Sequence, residues 1–78
     1  MKNSITYNVL VYEHHPDHAI EMREFTDIIE GRRWFDERLE FYKHELNGNK
    51  WYYHADGGLI AQHKGSCFTV RLMPIELT

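Results

Sequence analysis

The sequence predicts an α+β domain in which one amphipathic helix packs against a small antiparallel sheet. Apolar residues recur at three- and four-residue spacing between positions 27 and 46, which places them on one face of a helix. Apolar and polar residues alternate over positions 4–13, as in a half-buried strand. The segment Asp56-Gly57-Gly58 is typical of a tight hairpin turn. A chain of 78 residues has the size of one domain, so we expect residues 1–78 to share one core.

The first strand is predicted over Ser4–Glu13. Successive side chains of a strand point to opposite sides, so one side should contact the helix and the other should face away. The predicted inner side carries Ile5, Tyr7, Val9 and Val11, and the outer side carries Thr6, Asn8, Leu10 and Tyr12. The outer side is half apolar, so it is either partly covered or available to a partner. Residues 14–18 contain Pro16 and Asp17, which favour a tight turn.

Two interpretations are open for residues 19–25. They form either a second strand that pairs back on the first, or the first half of a helix that continues to residue 46. Local propensity favours the helix, because Ala, Glu, Met and Arg are good helix formers. A single helix of that length would extend about 45 Å, which is long for so small a domain. Thr26 and Asp27 are also preferred helix-capping residues. We therefore predict the order β-β-α-β-β-β, with β-α-β-β-β as the alternative.

The helix is predicted over residues 27–46, with Asp27 as its N-cap and Glu30 completing a capping box. Its apolar face carries Ile28, Gly31, Phe35, Leu39, Tyr42 and Leu46, with Trp34 and Phe41 beside it. A glycine in a helix interior costs up to about 1 kcal/mol relative to alanine. Gly31 therefore indicates either close packing against the sheet or simple tolerance of that cost. The segment Asn47-Gly48-Asn49 should end the helix, with Gly48 in the left-handed conformation.

Three further strands are predicted after the helix. Residues 50–56 and 59–64 should pair across the glycine-containing turn, and residues 67–73 should form the last strand. Pro74 should end that last pairing, because proline has no amide hydrogen to donate. Cys67 is the single cysteine of the chain, so no internal disulfide can form. We expect Cys67 to be a small core residue of this strand rather than a reactive thiol.

Five of the six histidines form two separate groups of candidate metal ligands. They are His14, His15 and His18 in one turn, and His54 and His63 on either side of the hairpin. A two-residue turn would pair His54 with Ala61 and leave His63 diagonal to His54 on the same face, within reach of a shared Zn²⁺. A zinc site needs three or four converging ligands, and none of the usual Cys/His spacings is present. We therefore expect exposed histidines, no metal and no cofactor.

The sequence lacks the motifs of an enzyme. It contains no glycine-rich phosphate loop, no nucleophile elbow and no recognisable pair of catalytic carboxylates, so we expect no catalytic residues. The formal net charge of −3 argues against general affinity for phosphate backbones or anionic membranes. A nucleic-acid-binding module is an alternative, because aromatic side chains on a sheet can stack bases. The rings concerned are those of Trp51, Tyr52, Tyr53, His54 and Phe68, and the candidate phosphate contacts are Lys50, Lys64 and Arg71.

Protein binding is the function that the sequence favours. Tyrosine and tryptophan are over-represented among the residues that anchor protein interfaces, and several aromatic residues fall outside the predicted core. Acidic residues on the outer helix face could in addition contact a basic partner. The predicted protein-binding residues are Tyr12, Trp34, Glu37, Glu40, Phe41 and Tyr52. A structural domain that acts through oligomerisation, including a homodimer, is the second alternative.

One stretch resembles the strand-into-helix pattern of small phage-encoded inhibitors, namely anti-CRISPR and host-takeover proteins. It reads Met22-Arg23-Glu24-Phe25-Thr26-Asp27, then Glu30-Gly31, Trp34-Phe35 and Leu39. The resemblance implies steric inhibition of a bacterial defence system such as CRISPR-Cas, or of another host protein or ribonucleoprotein complex. The net charge of −3 departs from the strongly acidic members that mimic DNA. Because no long apolar run is present, we expect no membrane span and a cytoplasmic location, in the host cell for a phage protein.

Overall fold

The structure is a computed structural model that describes residues 4–46, 51–55 and 58–77. These residues form one α-helix and five antiparallel strands. In chain order the elements are β1 (Ser4–Glu13), β2 (Ala19–Phe25), α1 (Ile28–Glu45), β3 (Trp51–His54), β4 (Leu59–His63) and β5 (Phe68–Leu77). The strands lie side by side in the order β2-β1-β5-β4-β3, and α1 packs on one face of the sheet. The predicted α+β fold with the order β-β-α-β-β-β is confirmed.

The hairpin of β1 and β2 decides between the two interpretations of residues 19–25. β2 pairs with β1 from Tyr7 opposite Phe25 to Tyr12 opposite Ala19, with a shift of register after Val11. The turn between the two strands contains a short 3₁₀ helix, Pro16–His18. As the last residue of a strand, Phe25 reaches the core, where only 9% of its surface is exposed. Burial and strand pairing therefore override the local helix propensity of this segment.

The predicted start of the helix is confirmed at Asp27. Its Oδ1 accepts a hydrogen bond of 2.9 Å from the amide of Ile29, which satisfies one of the free donors of the first turn. At the other end, the amide of Leu46 donates to the carbonyl of Tyr42 at 2.8 Å. The predicted helix stop at positions 47–49, including Gly48, lies outside the described residues.

The hydrophobic core lies between α1 and the sheet. Its buried members are Val9, Val11, Phe25, Phe35, Leu39, Trp51, Ala61, Phe68, Val70 and Leu72. The predicted inner side of β1 is confirmed, since Val9 and Val11 are completely buried. Ile5 is 45% exposed, because it precedes Tyr7, the first residue of β1 that pairs with β2. The sheet is therefore narrow at this end.

The helix contributes Gly31, Phe35 and Leu39 to the core, as predicted. The expectation that Ile28 packs there is wrong, because 44% of its surface is exposed. Ile28 instead lines an open apolar groove beside Leu59, the first residue of β4, where the sheet beneath the first helical turn is narrow. A Cβ added to Gly31 would lie 3.5 Å from side-chain atoms of Phe25, an ordinary contact. Close packing therefore does not require glycine at position 31.

The pairing of β3 with β4 differs by one residue from the predicted register. His54 lies opposite Ile60, whereas the predicted two-residue turn placed it opposite Ala61. Side chains alternate between the two faces of a sheet, so this shift places His54 and His63 on opposite faces. The predicted approach of these two histidines is therefore wrong. Positions 50, 56 and 57, which the sequence assigned to this strand and its turn, lie outside the described residues.

β5 is longer than predicted, because Pro74 does not end it. Its pairing with β1 continues from Tyr7 opposite Pro74 to Ser4 opposite Leu77. The pairing of β5 with β4 extends only to Leu72. Pro74 therefore has a neighbouring strand on one side only, and proline is tolerated at such edge positions.

The expectation that Cys67 is a core residue of the last strand is wrong. Cys67 is exposed and lies in the turn before β5, with a left-handed φ of 57°. His14, which follows β1, also has a left-handed φ of 73°. The amide of His14 donates to the carbonyl of Cys67 at 3.1 Å. A short hairpin loop commonly needs one left-handed residue, which explains why Cys67 leaves the strand.

Candidate functional site

The face of the sheet opposite α1 is the candidate binding surface, and we call it the open face. Its side chains are those that alternate with the core residues along each strand. They are Thr6, Asn8, Leu10 and Tyr12 of β1, Met22 and Glu24 of β2, Tyr52 and His54 of β3, Ile60 and Gln62 of β4, and Thr69, Arg71, Met73 and Ile75 of β5. Half of them are apolar or aromatic, although a sheet face in contact with water usually carries mainly polar side chains.

One row of side chains crosses the centre of the open face. From β2 to β3 it runs Met22, Leu10, Arg71, Ile60 and His54, each opposite the next. Met22 is 63% exposed, whereas the three residues in the middle of the row are half-buried. Arg71 takes part in neither of the two ion pairs found among the described residues. The row thus presents one cation between apolar neighbours.

A second row on the open face contains the two predicted tyrosines. It runs Tyr12, Thr69, Gln62 and Tyr52. The ring of Tyr52 is 48% exposed, and Nζ of Lys64 lies 5.7 Å from its centroid. Tyr12 is only 8% exposed, although α1 lies on the other side of the sheet. Tyr52 is therefore accessible to a partner, while Tyr12 is buried and offers a partner little surface.

Two polar oxygens on the open face are buried without a partner. Thr6 Oγ1 and Asn8 Oδ1 make no hydrogen bond within the part of the chain that the structure describes. Buried polar atoms in proteins are nearly always paired. Because both oxygens are buried, they lie beneath the surface that a partner would contact.

A second exposed surface lies where α1 meets β2. We call it the α1–β2 seam, and it consists of Arg23, Trp34, Arg38 and Phe41. The guanidinium groups of Arg23 and Arg38 lie 5.9 and 5.8 Å from the Trp34 ring, and that of Arg38 lies 5.0 Å from the Phe41 ring. Phe41 is 47% exposed, while Trp34 is half-buried with its ring 6.0 Å from that of Phe25. The predicted residues Trp34 and Phe41 thus share one surface, on the helix side of the sheet.

Glu21 joins β2 to the helix beneath this seam. Its carboxylate accepts hydrogen bonds from Arg38 Nη1 at 3.3 Å and from the hydroxyl of Tyr42. The side chains of Arg38 and Glu21 are 28% and 27% exposed, so solvent screens their ion pair only in part. The edge strand is therefore fixed to α1 by a polar network in addition to the apolar contacts of Phe25.

We expect this network to weaken in alkaline solution, when Tyr42 ionises. Burial, and then the hydrogen bond to Glu21, raises the pKa of Tyr42 from 10.0 to about 12. The unfolded chain loses this proton first, so the stabilisation is complete below pH 10 and is lost as the pH rises through about 12. An absorbance titration should show a tyrosinate transition near pH 12 that Tyr42→Phe removes. Ionisation of Tyr42 together with the exposed tyrosines would contradict this expectation.

The predicted acidic residues Glu37 and Glu40 lie on the outer face of α1. They border a shallow depression together with Arg32, Arg33 and Asp36. Arg32 Nε lies 3.3 Å from Asp36 Oδ1. The outer helix face therefore carries charges of both signs, and it lies away from the two predicted tyrosines.

The described residues contain no group of three His, Cys, Asp or Glu side chains that could hold a metal ion. The exposed histidines considered above are His14, His15, His18 and His54. His63 is half-buried, and its Nδ1 lies 2.8 Å from Oγ of Ser66. His63 thus has a partner within its own turn.

Comparisons with known proteins do not assign the chain to a family. No family model, no curated protein and no solved structure matches it. Within the described ranges, no helix is both long enough and apolar enough to cross a membrane. Any function must therefore be argued from the surfaces of the molecule.

Arg71 and Met22 were not predicted from the sequence as protein-binding residues. The signal was present in part, because the outer side of β1 was recognised as half apolar. The outer side of the last strand carries Arg71, Met73 and Ile75, in alternation with its core residues. The missing information was the pairing of β1 with β5, which places Leu10 beside Arg71. Local patterns do not reveal which distant strands become neighbours.

Proposed function

We propose that this chain is a protein-binding domain that occupies a functional surface of its partner through the open face. The central row supports this most directly, because Met22, Leu10 and Ile60 accompany an arginine that has no acidic partner among the described residues. Contiguous exposed apolar surface marks interaction sites, and arginine is enriched among residues that dominate binding energy. The partner surface that fits is apolar and carries a carboxylate opposite Arg71.

The proposed mechanism is steric occlusion, in which no covalent bond forms or breaks. The open face contacts the target, while α1, on the other side of the sheet, keeps other molecules away from the covered area. The resemblance to small phage inhibitors supports a bacterial defence complex, or another host protein or ribonucleoprotein, as the class of target. Such an inhibitor acts in the cytoplasm of the host cell.

A nucleic-acid-binding module has less support from the same surface. Stacking on bases requires exposed rings, but Trp51 and Phe68 belong to the core and Tyr12 is buried. Tyr52 is the one well-exposed aromatic ring that the described residues place on the open face. Among the described strand residues of that face, Arg71 is the one Lys or Arg. A protein partner is therefore favoured over a phosphate backbone.

The test is affinity capture with the tagged full chain from a bacterial lysate that contains active defence systems, with and without nuclease. We expect one protein complex, captured at a fixed ratio, that survives nuclease treatment. Arg71→Glu and Tyr52→Ala should abolish its capture. Arg33→Glu makes the same charge change on the outer helix face and should leave capture unchanged.

Capture of nucleic acid alone, or of proteins that nuclease removes, would refute the protein-binding proposal and favour the alternative. Retention of the complex by Arg71→Glu would refute the open face as the contact, and Trp34→Ala and Glu37→Lys would then test the helix side. A captured complex should also lose its activity when the purified chain is added in excess. Full activity in the presence of the bound chain would refute inhibition by occlusion.

A further inference from the structure

We propose that two copies of this chain pair through the outer edge of β2 and form one continuous sheet. β2 is an edge strand in the order β2-β1-β5-β4-β3, so one row of its amide and carbonyl groups has no partner strand within the described residues. An open edge of this kind is a template for pairing with another chain. This inference rests on the edge of the sheet and not on the proposed function, although Met22 belongs to both surfaces.

The charges of β2 select one register for such a pair. Two identical antiparallel strands related by a two-fold axis pair symmetrically about one central residue. A register centred on Glu21, Arg23 or Glu24 would place two identical charges directly opposite each other, which is unfavourable. A register centred on Ala19, Ile20 or Phe25 would pair at most three residues of the strand. Centring on Met22 places Glu21 of each copy opposite Arg23 of the other copy. The two-fold axis generates this contact twice, and Met22 of one copy lies opposite Met22 of the other.

The two charged side chains are positioned for this contact. Arg23 is exposed, stacks 5.1 Å from the Phe25 ring and belongs to neither ion pair of the described residues. Tyr42 and the shorter Arg38 contact both use Oε2 of Glu21, whereas Oε1 receives only the longer Arg38 contact of 3.4 Å. A carboxylate oxygen can accept more than one hydrogen bond. Oε1 is therefore available to Arg23 of a second copy.

Side chains on both faces of the sheet enlarge the contact beyond the backbone pairing of the two β2 strands. On the helix side, the α1–β2 seam lies beside the edge, and Phe41 in it is 47% exposed. On the open face, the two Met22 side chains meet, and each is 63% exposed in the single chain. Pairing therefore removes apolar surface from water on both faces, as in the core of protein interfaces. The two-fold axis is perpendicular to the sheet, so the two open faces lie on the same side.

The first test is sedimentation equilibrium of the full chain over a range of concentrations. We expect a reversible dimer. Arg23→Glu should raise its dissociation constant by about tenfold or more, because two attractions become two repulsions. Arg33→Glu makes the same charge change on the outer helix face and should leave the constant unchanged. A monomer at every concentration, or equal effects of the two variants, would overturn the proposal.

The second test measures the register directly and does not rely on weakened binding. Met22→Cys in a Cys67→Ser background should form a cross-linked dimer under mild oxidation, because directly opposed residues have Cα atoms about 4.5–5.5 Å apart. Glu24→Cys is the control. In the proposed register the two copies of position 24 are offset by four residues, about 14 Å, which is too far for a disulfide. Cross-linking at position 24 but not at 22, or at neither position, would overturn the proposed pairing.

Discussion

Gly58→Ala should destabilise the domain by about 3 kcal/mol, the upper end of the usual cost of overpacking. A Cβ added to Gly58 would lie 2.2 Å from the carbonyl oxygen of Leu72 and 3.2 Å from Cα of Met73. Both atoms belong to the backbone of β5, which pairs with β1 on one side and β4 on the other. The backbone of such a strand cannot move aside as a flexible side chain can. The free energy of unfolding from chemical denaturation is the quantity to measure.

Gly31→Ala is the matched control for this prediction. It adds the same methyl group, but the nearest neighbours are side-chain atoms of Leu72 and Phe25 at 3.5 Å. Alanine also has the higher helix propensity, so we expect a gain in stability of up to about 1 kcal/mol. Effects of the same sign and size at positions 58 and 31 would contradict the steric argument.

Glu21→Ala should have the next largest effect, a loss of about 2 kcal/mol. The substitution removes the acceptor for both Arg38 and Tyr42 and leaves the arginine, only 28% exposed, without its partner. Solvent reaches both members of the pair, so the loss should be smaller than for a fully buried ion pair. Unfolding should be followed at concentrations where the chain is monomeric, so that the result reports on the network alone.

Glu24→Ala is the control for Glu21→Ala. Glu24 lies on the same strand but is exposed on the open face, so its replacement should change stability by less than about 0.5 kcal/mol. The double variant Glu21→Ala with Tyr42→Phe should lose less stability than the sum of the two single variants. Both substitutions remove the same hydrogen bond, the one between the Tyr42 hydroxyl and the Glu21 carboxylate. Additive losses, or equal effects at positions 21 and 24, would contradict the network.

Several parts of the fold follow from patterns that are local in the sequence. The alternation in β1 identified Val9 and Val11 as core residues, because the two-residue period of a strand decides which side chains share a face. The helical spacing identified Phe35 and Leu39 in the same way. Asp27 predicted the helix start, because its short side chain reaches an amide within its own first turn.

The candidate site could be predicted only in part. Tyr52, Trp34 and Phe41 were predicted as aromatic residues that the core does not require, and Tyr52 and Phe41 are both about half exposed. The sequence could not show that Tyr52 lies on the open face while the other two lie on the helix side. That separation follows from where α1 packs. Arg71 was not predicted as a protein-binding residue, because its apolar neighbour Leu10 lies on a strand from the other end of the chain.

The sequence by itself determined the fold class, the helix start and the core residues of β1 and α1, because these depend on periods and caps within single elements. Only the tertiary structure decided the pairing of β1 with β5, the register that separates His54 from His63, and the continuation of β5 through Pro74. It also decided why position 58 is a glycine, where the carbonyl of Leu72 leaves no room for a Cβ. Each of these features depends on which distant backbone groups meet, and a one-residue shift between strands exchanges the faces of every side chain.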